Sequence, residues 1–169
     1  DSIVPYIDID IKVRALYKNR LMMLDLIANN NWKRPIYFSG GAYDDEDFLW
    51  MKNYLQLDGM TYKLVPIKTE IPKDASPLEM GGIDTDKMYA NVMKWDWGNS
   101  ESLSIYHDPE TRKNSITYRS YLSRLMNQLI LEGKKEKAKN IITLAMNKMP
   151  LEQFGYYSLL EPFAKGYYD

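Results

Sequence analysis

Proton-transfer chemistry has one natural address in this sequence, the single histidine His107, because imidazole is the side chain whose ordinary pKa lies nearest neutrality. Asp108 follows it and Ser100, Ser102 and Ser104 precede it, so a base, a carboxylate and three hydroxyls share a short stretch. None of the serines sits in a nucleophile-elbow pattern, and a lone histidine cannot form a multi-histidine metal site. A structural or exposed role is the expectation for His107. Gly40-Gly41 stands where a strand is expected to open onto a helix, the usual setting of a phosphate loop. It lacks the spaced glycines of a dinucleotide fingerprint and the Gly-Lys-Ser/Thr of a P-loop, and Asp44-Asp45-Glu46-Asp47 follows it directly. Four carboxylates repel phosphate. They suit the positive end of a helix dipole, and more remotely a cation such as Ca²⁺. Tyr89, Trp95 and Trp97 are the remaining candidates, as a ligand-binding platform whose ring faces stack on the apolar face of a sugar. Core packing competes with that reading and is the commoner fate of such a cluster. No metal and no cofactor is expected.

Bulk properties narrow the classes further. The chain has 169 residues, enough to bury roughly 70% of its unfolded surface without covalent staples. Its 22 basic and 23 acidic residues nearly cancel, so no overall field draws the chain toward nucleic acid or an anionic membrane. The absence of cysteine removes disulfides, zinc-thiolate sites and thiol nucleophiles but leaves the compartment open. Leu21 to Ala28 is the most apolar run; it carries Asp25 and is far shorter than the ~20 residues of a spanning helix, so no direct membrane insertion is expected. The N-terminus has neither an initiator Met nor the regions of a signal peptide, and Phe163 to Asp169 breaks off inside a helical pattern. Both ends read as cuts within a longer protein.

The elements that would position these residues follow from periodicity. Ile7, Ile9 and Ile11 alternate with Asp8, Asp10 and Lys12, predicting a strand with one wet face. From about Arg20 the period lengthens, and Leu21, Leu24 and Ala28 with Met23 and Ile27 predict a helix ending at Asn29-Asn30-Asn31. Pro35 to Phe38 reads as a short strand, Asp44 to Leu55 as a helix and Met60 to Ile67 as a third strand. Alternating strands and helices favour a small βαβαβ sheet with right-handed crossovers. Lys68 to Gly82, with Pro72, Pro77, Gly81 and Gly82, reads as a long loop. Asp84 is then the expected N-cap of a helix that presents Met88, Val92 and Trp95 inward and stops at Gly98.

The strongest local pattern is helical. Tyr118, Leu122, Leu125 and Leu129 line one helix, Gly133 breaks it, and Ala138, Ile142, Ala145 and Met149 line the next, which ends at Pro150. These positions follow the roughly 34-residue tetratricopeptide pattern. Met126 departs from it where Gly or Ala is preferred, and so questions tight packing there. Leu160, Phe163, Ala164 and Tyr167 restart the pattern from near Tyr157. One repeat cannot bury both of its faces, so it is expected to lean on a neighbour. It serves either as a cap or as a groove for a partner. The expected architecture is thus α/β, a small βαβαβ sheet domain over 1–67, then a loop and connector helix over 68–112, then a truncated tetratricopeptide-like α-helical hairpin region over 113–169.

The string Leu21-Met22-Met23-Leu24-Asp25-Leu26-Ile27-Ala28-Asn29-Asn30-Asn31-Trp32-Lys33-Arg34-Pro35-Ile36-Tyr37-Phe38 resembles the C-terminal region of a bacterial family of large polytopic membrane proteins, first described as a domain of unknown function and similar to protein O-mannosyltransferases. Tyr54 to Ile67, Asp84 to Tyr89 and Leu131 to Ala138 extend the resemblance over most of the chain. It implies a membrane-embedded, lipid-phosphosugar-dependent glycosyltransferase module elsewhere in the same protein, with this region on the extracytoplasmic, periplasmic face of the inner membrane. The family's catalytic acidic residue lies in a loop between transmembrane helices, so no catalytic residue carries over. The expectation is a non-enzymatic accessory domain whose partners are the membrane-embedded remainder of the chain and an acceptor polypeptide or glycan. The alternative is a protein-interaction scaffold or structural cap built on the helical repeat.

Overall fold

A computed structural model of the chain describes residues 3–11, 13–39, 50–72 and 77–168. They form two compact units, 1–82 and 83–169. The first carries a small sheet and one helix, and the second is helical.

In the first unit, helix α1 (Lys18–Asn29) ends where expected. Asn31 and Trp32 both adopt left-handed backbone, at φ 47° and 58°, and the chain turns there into β1 (Tyr37–Ser39). The sheet has the order β1-β3-β2-β4, with β2 at Leu55–Asp58, β3 at Thr61–Leu64 and β4 at Gly82–Ile83. Both β1 and β2 pair antiparallel with β3. The sheet is therefore not a run of adjacent parallel strands: β1 and β2 point the same way, with β3 between them. The expected helix over Asp44 to Leu55 lies outside the described residues up to Leu49. Its far end is a 3-10 turn at Lys52–Tyr54 followed by strand, because Leu55 and Leu57 alternate with Gln56 and Asp58. Gly59 and Met60 then make a two-residue hairpin loop with Gly59 at φ 69°, the position at which a type II′ turn takes glycine. Gly40-Gly41 and Asp44 to Asp47 also lie outside the described residues.

The first predicted strand is corrected too. Ile7 and Ile9 are half-buried while Asp8 and Asp10 are exposed, so the alternation is real. The described residues 7–11 nevertheless belong to no ladder. The segment is tied instead by the Ile3–Ile67 bridge, by Val4 N–H donating to the Pro66 carbonyl at 2.9 Å and by Asp8 N–H donating to the Tyr54 hydroxyl at 3.3 Å. Leu55, Leu57, Tyr62, Leu64, Met51, Tyr54 and Met80 form this unit's core. Of the expected long loop, Gly82 joins β4. Gly81 sits at φ 68° with its α-carbon so close to β2 that a Cβ would stand 2.2 Å from the Leu55 carbonyl oxygen.

In the second unit, Asp84 caps α2 (Thr85–Val92), accepting from Lys87 N–H at 3.1 Å. The helix stops before Trp95 rather than at Gly98, its end tightened by bonds from Lys94 and Trp95 N–H to the Asn91 and Val92 carbonyls, the short i→i+3 pattern that satisfies terminal groups. Helices α3 (Pro109–Leu131) and α4 (Lys135–Lys148) form the hairpin about Gly133 at φ 74°. A short helix α5 (Leu151–Phe154) and, after a 3-10 turn, α6 (Glu161–Tyr168) complete the unit. Leu122, Leu125 and Leu129 on α3, Ala138, Ile142 and Ala145 on α4, and Phe163 on α6 are buried as their spacing predicts.

Candidate functional site

Each proposed chemical residue of the second unit finds a neighbour that explains it. Asp108 caps α3, accepting from Glu110 and Thr111 N–H at 2.9 and 3.1 Å, and the Thr111 hydroxyl holds its carboxyl below the usual carboxylate range. It is not oriented toward His107 by any hydrogen bond. The His107 ring instead lies 4.5 Å from that of Phe154 and its Nε2 meets the Ser100 carbonyl at 2.9 Å. The serines serve the same loop: Ser100 donates to the Lys148 carbonyl at 2.6 Å and Ser102 meets Ser104 at 2.8 Å. Gln153 donates to the Ser102 carbonyl at 2.7 Å, and Lys148 pairs with Glu101. This constellation fastens the 96–108 loop to the ends of α4 and α5.

The aromatic candidates divide. Trp95 and Trp97 come together with ring centroids 5.7 Å apart, and Tyr118 of α3 stands 5.6 Å from each. Tilted and edge-on contacts of this kind are those by which aromatic rings stabilise one another, and each of the three already packs on the other two. The Trp97 indole N–H is buried without a partner among the described residues. Tyr89 is not part of this group. Its hydroxyl accepts from Asn140 at 2.9 Å and Lys137 Nζ lies 5.3 Å from its ring centroid, a cation–π contact. Around it, Asp86 pairs with Lys137 and Lys134 at 2.6 and 2.9 Å. Thr85 donates to Glu132 at 2.6 Å and accepts from Lys134 at 2.9 Å. Those two lysines, Lys137 foremost, hold the Asp86 carboxyl down to about 2. The network joins α2 to α4. Among the described residues no group of three or more histidines and carboxylates could hold a metal.

A further candidate site, not expected from the sequence as a site, lies in the first unit, a groove of about 500 Å³. Val4, Ile7 and Ile9, Leu24 and Ile27 of α1, Ile36, Leu64 and Trp32 are among the residues that line it. Asn30, Asn31 and Tyr6 bring its polar groups. Two local features build it. The left-handed turn at Asn31-Trp32 places the indole beside the end of α1, and the bridge at Ile3 holds the N-terminal segment against the end of the hairpin. The isoleucine alternation was the legible signal; what it marked was a wall of this groove instead of a strand. A largely apolar open groove with few polar groups in its lining suits an extended polypeptide with apolar side chains. A hydroxyl-rich glycan would call for more polar partners.

No curated protein and no solved structure matches the chain. Residues 1–87, which include the whole of this groove, match the family described as TMEM260-associated domain 2. The match spans just over half of the 169 residues, and the chain belongs to the TMEM260-associated domain 2 family.

Proposed function

We propose that the chain is a non-catalytic accessory domain of a membrane-embedded, protein O-mannosyltransferase-like glycosyltransferase, and that its first unit holds a stretch of acceptor polypeptide in the α1 groove. The groove itself carries this reading: it is apolar, open and contained within the family-matched residues. Membrane association enters through the family, whose description refers to a transmembrane protein, since no helix among the described residues is long and apolar enough to cross a bilayer. The reading places the domain on the extracytoplasmic side, with the bilayer-embedded part of the parent as its permanent partner. Titration with acceptor-like peptides, followed by tryptophan fluorescence against a Trp32→Phe control, is expected to saturate in the native chain and to lose its signal in the control. Oligosaccharides are expected to leave it flat. Saturation by oligosaccharide alone would move the site to the Trp95-Trp97-Tyr118 cluster, and a peptide response that survives in the control would take it away from Trp32.

A second reading, a protein-interaction scaffold built on a tetratricopeptide-like hairpin, is favoured by one observation. A smaller groove of about 280 Å³ opens between Ile130 of α3, Ala138 and Ile142 of α4, and Gly166 and Tyr167 of α6. It predicts a protein partner captured without any glycan and lost on Tyr167→Ala.

A further inference from the structure

The N-terminal segment stops pairing abruptly. Its bridge from Ile3 to Ile67 and the bond from Val4 N–H to the Pro66 carbonyl end at Pro5, which has no N–H to continue a ladder, and the chain bends at Pro5-Tyr6. Beyond the bend, half-buried Ile7 and Ile9 alternate with exposed Asp8 and Asp10, the period of extended backbone. In such backbone the N–H and C=O of one residue leave by one edge and those of its neighbours by the other. Asp8 N–H donates to the hydroxyl of buried Tyr54 at 3.3 Å, so the Asp8 edge faces the body of the unit and the Ile7 and Ile9 groups leave by the opposite edge. Neither isoleucine makes a backbone hydrogen bond among the described residues, although half-buried backbone groups ordinarily find a partner. Val4 to Ile7 and Ile9 line the groove whereas Tyr54 does not, which sets the groove on the side of the unpaired edge.

We infer that the polypeptide in the groove binds by strand addition, its backbone pairing with the edge of Ile7 and Ile9 and its alternate side chains lying beside theirs over the apolar lining. The inference rests on the reading of the groove as a polypeptide site and adds what is recognised there, the backbone of an extended chain rather than a particular sequence. An unpaired edge whose donors and acceptors recur at every second residue is matched by a ligand with the same repeat, and a second strand supplies it. The hydroxyls of a glycan have no such period. With only two residues offering the edge, the apolar lining contributes most of the affinity and the backbone pairing selects the extended conformation.

Calorimetric titration of the intact chain with the acetylated and amidated heptapeptide Ser-Val-Ser-Val-Ser-Val-Ser tests it, beside two versions methylated on one backbone nitrogen, that of the central Val or that of the Ser before it. The unmodified peptide is expected to bind. Because successive N–H groups face opposite edges, one methylation should weaken binding roughly tenfold, the worth of one hydrogen bond, and the other should leave it little changed. Amide exchange followed by NMR should slow at Ile7 and Ile9 on saturation and stay unchanged at Asp8. Binding that tolerates both methylations, with exchange at Ile7 and Ile9 unaltered, would overturn strand addition and leave the groove a polypeptide site. Absence of binding by the unmodified peptide would overturn both. Slow exchange at Ile7 and Ile9 in the peptide-free chain, together with a doubled mass in light scattering, would assign the edge to a second copy of the chain and overturn the proposal as well.

Discussion

Arg119 is the residue whose role depends most on its surroundings. It lies on α3 at 1% exposure, where burial lowers its guanidinium from the ordinary value. It stays charged there by donating to the Met149 carbonyl at 2.8 Å and to the Gly155 carbonyl. Those carbonyls terminate α4 and α5, so one guanidinium satisfies two helix ends that have no intrahelical partner. Arg119→Leu should lower stability by about 1–3 kcal/mol, the penalty for leaving buried acceptors unpaired, and should free α5 and α6 first, which denaturant melts and amide exchange would register. Asp86 offers a pH-dependent counterpart. Its folded value of about 2 lies below the ordinary 3.8, so between those values the unfolded chain binds more protons than the folded one. The stabilisation is present above 3.8 and is lost as pH falls through about 2. The midpoint temperature of Asp86→Asn should therefore fall less steeply than the native one across that window, and near neutrality the variant should lie slightly below it.

At the scale of elements, the helical hairpin shows how a departure from a pattern is absorbed. Met126 occupies a position of α3 where a small residue is preferred in tetratricopeptide-like repeats, yet it is fully buried. The room comes from the facing helix: Gly166 of α6 lies so close that a Cβ there would stand 2.7 Å from the Met126 thioether end. Gly166→Leu should cost about 1–3 kcal/mol through overpacking, and Met126→Ala in the same chain should recover part of it, a coupling that a double-mutant cycle measures. The helices of this unit were legible because 3.6-residue periodicity, the Asp84 and Asp108 caps and the Gly133 break all point the same way. The sheet was less so. The Gly59 loop joins two four-residue strands, too short for alternation to outweigh the helix-like run before Leu55, and strand direction depends on long-range pairing that no local pattern encodes. His107 packs its ring on Phe154 and meets the Ser100 carbonyl, long-range contacts that no local pattern encodes. Arg119 was missed because nothing local distinguishes a buried arginine from the exposed ones, and Tyr118 because the rings it joins lie outside its own helix.

For the whole molecule, the division of labour follows the two cores. The second unit spends many polar groups on itself: Ser100, His107, Asp86 and Arg119 each tie one element to another. Among the described residues, the first unit leaves an apolar groove and an exposed apolar face on α1. On the proposed function, recognition belongs to residues 1–82 and support to 83–169. The most direct test is the kinetics of the proposed parent glycosyltransferase carrying Trp32→Ala and Ile27→Ser in this domain, measured against acceptor polypeptide and against the lipid-linked sugar donor that the proposal assigns to it. The account predicts a raised KM for acceptor with kcat and donor KM unchanged, because the groove holds the acceptor and performs no chemistry. Unaltered acceptor kinetics in a folded double variant would contradict it.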